Sequence, residues 1–423
     1  MELAPTVRRL DQLSSIGSDP TGGLTRLLYS DEWLTAQKYV QEEMAAMGMT
    51  TKFDGVGNLF GRIEGKDLPN ETVMTGSHID TVVNGGNLDG QFGVLASLTA
   101  VEYLKEKYGQ PQRSLEVISM AEEEGSRFPT VFWGSKNFVG IADNEEVKDI
   151  KDGQGKGFVD EMRRQGFDFQ EQTRRDDIVA FVEEHIEQGS ILETEGDQIG
   201  VVTSIAGQRR YNITLKGQAN HAGTTPMSYR HDAVYGMAKI VTLALERAHE
   251  IGDPLVMTFG KVVPKPNTVN VVPGEVLFTM DCRHTDPDFL IEFSTQVEEM
   301  MKEVAQDMGL GIEIDRWMDE APVPMSEKVY QTIENCAKSG GYKYRVMHSG
   351  AGHYSQIIAP VYPTAMIFVP SIGGISHNPA EETNFEDLVN GVQLLADTLY
   401  ELAVANCQTK CNGLSKNTSY GVS

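Results

Sequence analysis

The chain runs to 423 residues, 40% of them hydrophobic and 23% charged, with a formal net charge of −25. That length exceeds one compact core and predicts two domains, while the acidic balance argues against nucleic acid or an anionic membrane as a partner. The same field would repel a small anion, so an anionic substrate would have to be held by local cations.

The N-terminal stretch MELAPTVRRLDQLSS lacks the apolar core of a secretory leader. No segment approaches the ~20 apolar residues that span a bilayer. In chain order, TVMTGS (72–77) reads as a short buried strand ending at His78. Residues 93–107 place Val94, Leu95, Leu98, Val101 and Leu104 at helical spacing. SLEVISM (114–120) is a second strand, ending at Glu122, Glu123 and Glu124. AMIFV (365–369) is a third, followed by a Gly-rich loop with His377. Strands alternating with helices predict an α/β sheet. The polar clusters fall just after strands, where open α/β sheets bind ligands.

Between 208 and 325 the pattern changes. YNITLK (211–216) alternates as a half-buried strand, and a helix follows at about 232–251. LVMTFGKV (255–262) and EVLFTMDCR (275–283) read as strands, and a second helix covers about 287–308. This β-α-β-β-α-β order predicts a small antiparallel sheet with two helices on one face. It would be inserted into a larger domain made of 1–207 and 326–406. Cys282 and Cys336 have no spacing partner, and Cys407 and Cys411 lie in a polar tail (407–423) expected to be disordered. With no disulfide framework, the cytoplasm is the expected compartment.

The chemistry-bearing residues sit in short motifs. In GSHIDTVVNGGNLDG, Asp80 is placed to accept the second ring N–H of His78, and Asp89 follows in a Gly-rich loop. In AEEEGSRF, adjacent Glu123 and Glu124 can divide two tasks, one binding metal and the other taking a proton from water. HIEQG adds His185 and Gln188, and GISHNPAEE adds His377. Three His with an Asp able to bridge and a Glu form an N/O ligand set without thiolate, suited to two ions of the zinc, manganese or cobalt kind. Two such ions activate one water between them, the basis of metal-assisted hydrolysis. Elsewhere, His221 in NHAG could donate to a developing oxyanion. Asn270 offers an amide, Arg283 in MDCRH a fork for a carboxylate, and Arg209 and Arg210 further cations. His353 lies in the Gly-rich stretch SGAGHYSQ.

Taken together, GSHIDTVVNGGNLDGQFG, MAEEEGSRFP, HIEQG, NHAGTTPM, NTVNVVPG and GISHNPAE resemble the M20 metallopeptidase-type amidohydrolases, in their carbamoyl-amidohydrolase branch. The resemblance covers about residues 10–405. It implies a mixed-sheet catalytic domain with helices on both faces, and an inserted ferredoxin-like α+β domain serving as dimerisation domain and lid. It implies that His78, Asp89 and His185 hold one divalent ion and that Asp89, Glu124 and His377 hold the other. Glu123 would be the general base, with Asp80 orienting His78. His221, Asn270 and Arg283 would contact substrate, with Gln188, Arg210 and His353 as further contacts, and the protein would be a homodimer. IGSDPTGGLTRLLYS and FWGSKN are similar to members of the branch that cleave allantoate, a small anion with two ureido groups. N-carbamoyl-L-amino acids and ureidoglycolate are the alternative substrates. One departure is His353-Tyr354-Ser355, where the branch carries His-Asp-Ala.

Overall fold

A computed structural model describes residues 4–405; the tail at 407–423, with Cys407 and Cys411, lies outside the described residues. The described chain forms two compact units. The second comprises Ser204–Pro324 and His348–Gly352, and the first comprises the rest.

The first unit is built on strands β1 (Thr50–Phe53), β2 (Leu59–Ile63), β3 (Leu68–His78), β4 (Arg113–Met120), β5 (Ile178–Ile186) and β6 (Ile199–Ile205). The second follows with β7 (Gly207–Lys216), β8 (Asn220–His221), β9 (Val256–Thr258), β10 (Val262–Lys265), β11 (Val271–Val272), β12 (Glu275–His284) and β13 (Gly311–Glu320). The chain returns through β14 (Val323–Pro324), β15 (Tyr344–Ser349) and β16 (Thr364–Val369).

The large sheet runs β1-β2-β4-β3-β5-β16-β6-β14, with β15 also paired to β6. Its centre, β4-β3-β5-β16, is parallel, and β1, β2 and β6 pair antiparallel. The sheet is therefore mixed. β16 is buried at every position, as a strand covered on both faces must be. Met74 packs with Phe138, Tyr354 and Ile358 on one side. Its neighbour Thr75 hydrogen-bonds Ser97 of the helix Gln91–Tyr108 at 2.8 Å, on the other. Since successive strand side chains point to opposite faces, helices cover both. Strands buried on both faces are near-continuous apolar runs, which is why TVMTGS, SLEVISM and AMIFV were readable.

In the second unit β12 alternates buried and half-buried residues, so only one face of its sheet is covered. That sheet runs β10-β12-β7-β13 antiparallel, with β9 also on β12. Tyr211, Ile213, Phe278 and Met280 pack against Ile240, Ala244, Phe293 and Val297 of the helices Ala233–Ile251 and Pro287–Asp307. Each helix opens on an Asp that caps it, Asp232 and Asp286. The run LVMTFGKV is not one strand: it breaks at Phe259, Gly260 and Lys261 into β9 and β10, both along β12. Among the described residues no helix is long and apolar enough to cross a membrane.

Candidate metal centre

Four adjacent parallel strands bring the site together at their carboxyl ends. His78 is the last residue of β3 and His185 the penultimate residue of β5. Glu122, Glu123 and Glu124 follow β4, and His377 follows β16. Asp89 sits between β3 and the helix that opens at Gln91. Its Oδ1 lies 3.2 Å from His185 Nε2 and 3.6 Å from His78 Nε2. Its Oδ2 lies 3.0 Å from His377 Nε2, which is itself 3.4 Å from Glu124 Oε2. One carboxylate thus presents one oxygen to each half of the cluster. Three groups have ligand atoms within 4.8 Å of one another: His78-Asp89-His185, Asp89-Glu124-His377 and His78-Glu123-Glu124.

Ring orientation follows from backbone acceptors. His78 Nδ1 is 2.9 Å from the carbonyl oxygen of Asp80, and His185 Nδ1 is 2.9 Å from that of Ile186. A carbonyl only accepts, so each Nδ1 carries a hydrogen, and each Nε2 is the ring atom directed at Asp89. Convergent ring nitrogens and carboxylate oxygens are an N/O ligand set that fits divalent cations. Burial lifts Glu124 well above its ordinary value, and the charges of Asp89 and Glu123 lift it further. Glu123 is pushed up to about 7, chiefly by burial, with Asp89 and Asp80 adding to it. Burial would raise Asp89 too, but contacts from His185, His377 and His78 outweigh it and hold it well below.

Asp80 departs from expectation. Its backbone carbonyl, not its carboxylate, holds His78 Nδ1; the carboxylate Oδ1 is 3.6 Å away. Asp80 Oδ2 instead accepts the backbone N–H groups of Glu123 and Glu124, at 2.9 and 3.2 Å. The carboxylate therefore fixes the acidic turn with Oδ2 while Oδ1 faces the His78 ring. Gln188, in left-handed backbone, donates to Asp89 Oδ2 at 2.9 Å. His353 is buried, edge-on to His185 with 4.6 Å between ring centroids. Burial holds it well below its ordinary value, so the ring is neutral, and it packs edge-on to His185.

Sequence reasoning missed Glu381. Its Oε1 accepts the backbone N–H groups of Leu88 and Asp89, at 2.8 and 3.0 Å. Its Oε2 accepts from Ser376 Oγ at 2.9 Å, tying the loop of Asp89 to that of His377. The residue lies inside GISHNPAEE, so the motif was in view and only its His was used.

The other expected residues lie in the second unit. β8 and β11 pair as a ribbon, with Ala222 N–H donating to the Asn270 carbonyl at 2.9 Å, which places exposed His221 and Asn270 side by side. His221 Nδ1 accepts from the backbone N–H groups of Gly223 and Thr224, at 3.1 and 3.2 Å. Its proton is therefore on Nε2, free to be donated. The arginines are not open cations as expected. Arg283 is bidentate on Asp281 at 2.9 and 3.0 Å and also donates to the Gly350 carbonyl at 2.6 Å. Arg210 Nε shares that Asp281 at 2.8 Å, and its guanidinium lies 5.7 Å from the Trp317 ring centroid. Two arginines on one carboxylate still leave a positive balance, in a pocket of about 520 Å³ also lined by Trp317 and His348. Arg209 is buried and paired with Asp319 at 2.8 and 2.9 Å.

A sequence model of peptidase family M20/M25/M40 matches residues 74–401. Allantoate amidohydrolase of Escherichia coli (strain K12) is 58% identical over 396 residues, covering 93% of this chain and 96% of that protein. Allantoate amidohydrolase of Bacillus subtilis (strain 168) is 45% identical over 397 residues, again 93% and 96%. Among solved structures, an amidase of the hydantoinase/carbamoylase family from Burkholderia multivorans matches with a TM-score of 0.89 and 34% identity, covering 94% of this chain and 96% of that one. With family model and near-full-length relatives in agreement, this chain belongs to peptidase family M20/M25/M40.

Proposed function

We propose that this protein hydrolyses a ureido C–N bond of allantoate, giving ureidoglycine, ammonia and carbon dioxide. The observation that carries the chemistry is Asp89, which offers one oxygen to His78 and His185 and the other to His377 beside Glu124. The substrate rests on likeness to two allantoate amidohydrolases over nearly the whole chain.

In this reading His78, Asp89 and His185 hold one divalent ion, and Asp89, Glu124 and His377 hold a second. Zinc, manganese and cobalt all suit the donors. Bound there, the ions would acidify a shared water and polarise the ureido carbonyl. Glu123 takes the proton as the water oxygen attacks the carbonyl carbon. His221 Nε2–H donates to the oxyanion developing on the carbonyl oxygen. Glu123 then passes the proton to the leaving nitrogen, the C–N bond breaks, and the released carbamate decomposes to ammonia and carbon dioxide. Asn270, Gln188 and the Arg283–Arg210 pair hold the substrate, the arginines' positive balance offsetting a −25 chain. The working form would be a cytoplasmic homodimer joined through the second unit, His221 and Asn270 serving the partner's centre.

The test is steady-state ammonia release by metal-stripped protein resupplied with zinc, manganese or cobalt. Allantoate should exceed N-carbamoyl-L-amino acids and ureidoglycolate in kcat/KM by at least ~10-fold, the low end of what one altered substrate contact supplies. A higher value for either alternative reassigns the substrate, and no turnover with any metal removes the reading.

A further inference from the structure

At the start of the helix Tyr354–Ile358, three consecutive residues each touch a different part of the metal centre. His353 backs His185, 4.6 Å between ring centroids at 60°. Tyr354 meets the ring of His78 at 5.8 Å and 87°. Ser355 donates its backbone N–H and its hydroxyl to Glu183 Oε2, at 3.0 and 2.7 Å. The other carboxylate oxygen, Glu183 Oε1, accepts from Ser77 Oγ at 2.9 Å, and Ser77 is the residue before His78. Ser77, Glu183 and Ser355 are all fully buried.

A carboxylate taken out of water has to be hydrogen-bonded, or it costs several kcal/mol. Here the donors come from β3 and from the helix, and the acceptor is on β5, two residues before His185. One buried group therefore fixes the mutual spacing of three segments. Residues i and i+2 of a strand share a face, so Glu183 and His185 move together. The two rings cannot turn away, because His353 and Tyr354 close the space behind them.

We propose that Glu183 and Ser355 form a positioning clamp that sets the distance between His78 and His185, with His353 and Tyr354 as its backing wall. The inference rests on reading the centre as a metal site. It also gives a physical role to a stretch where the sequence departs from the family it resembles.

Ser355→Ala keeps the backbone N–H and suits a helix start, while Glu183→Gln would set an amide NH₂ against the donors of Ser355. Metal-stripped protein is titrated with Co²⁺ against a chelating competitor, the visible d–d bands reporting ligand geometry and thermal melts reporting folding. Wild type should bind two Co²⁺ per chain. Ser355→Ala should weaken binding about 10-fold and Glu183→Gln up to about 100-fold, the range for groups that orient metal ligands, both with shifted bands. The double variant should be no weaker than Glu183→Gln alone, since both changes open one clamp. A folded Ser355→Ala with wild-type affinity and bands overturns the clamp, whether or not Glu183→Gln folds. So does a fall in Tm with unmoved bands, which would make the contact merely structural. Wild type that binds no Co²⁺ overturns the metal centre itself.

Discussion

Gly90 lies directly against the ring of a candidate ligand. Its φ is +64°, and a Cβ there would lie 2.3 Å from the His78 ring. Gly90→Ala therefore adds left-handed strain of roughly 1–3 kcal/mol and displaces a ligand ring. Its affinity for zinc, read by competition with a chelator, should fall at least ~10-fold. Retained affinity would mean that His78 is not a ligand. Glu123 makes a different prediction, because it stands within ligand reach of His78 and Glu124 and is also the proposed base. Glu123→Gln should keep both metals by elemental analysis and lose ~10²–10⁴ in kcat, the scale of general-base catalysis. Loss of a metal instead would give Glu123 a ligand's role and leave Glu124 as the base.

The parallel strands that carry the candidate ligands at one end are held at the other by charge. Arg62 of β2 and Arg175 both reach Glu116 of β4, at 2.9 and 2.7 Å. Arg175 also pairs with Asp177, just before β5, at 2.8 Å. Burial would raise the Asp177 carboxyl, but hydrogen bonds from Arg175 and Thr72 outweigh it and bring it down to about 2. A carboxyl depressed on folding stabilises the fold above its unfolded value near ~4, and that gain disappears as pH falls from there through ~2. Asp177→Asn should therefore lower Tm by at most a few degrees at pH 7, since partial exposure screens the pair, and the deficit should close by pH ~2. Melting curves between those limits decide it; a deficit that ignores pH would show that the charge is not what matters. The cluster also marks where sequence reading stops. TVMTGS, SLEVISM and AMIFV were legible because strands covered on both faces are continuous apolar runs, and each ends beside a His or an acidic cluster. The split of LVMTFGKV was not, because an edge interruption at Gly260 keeps both halves β-like. Nor were the contacts of Glu381 with Leu88 and Asp89, 293 and 292 residues away, which no local pattern can signal. The sharing of Asp281 by two arginines was hidden for the same reason: a motif names an arginine and says nothing of its partner.

For the whole molecule, the decisive feature is that the proposed base and the proposed oxyanion donor are carried by different units, Glu123 by the first and His221 by the second. Each alone is expected to be essential: His221→Ala should lose ~10²–10³ in turnover, the effect of removing one oxyanion donor, while its exposed side chain leaves the fold intact. If the working form is a homodimer in which His221 serves the partner's centre, two inactive variants can repair each other. In a mixed dimer of Glu123→Gln and His221→Ala, the subunit with an intact Glu123 receives an intact His221 from its partner. Random reassortment makes half of the dimers mixed, and each has one complete site of two, so activity should recover to about a quarter of wild type. Subunits exchanged in mild denaturant and then assayed for ammonia release give the number, with light scattering to check the dimer. Recovery requires both the dimer and the crossing of His221 between subunits. A mixture no more active than its components, from protein that is dimeric, would place His221 in the centre of its own subunit.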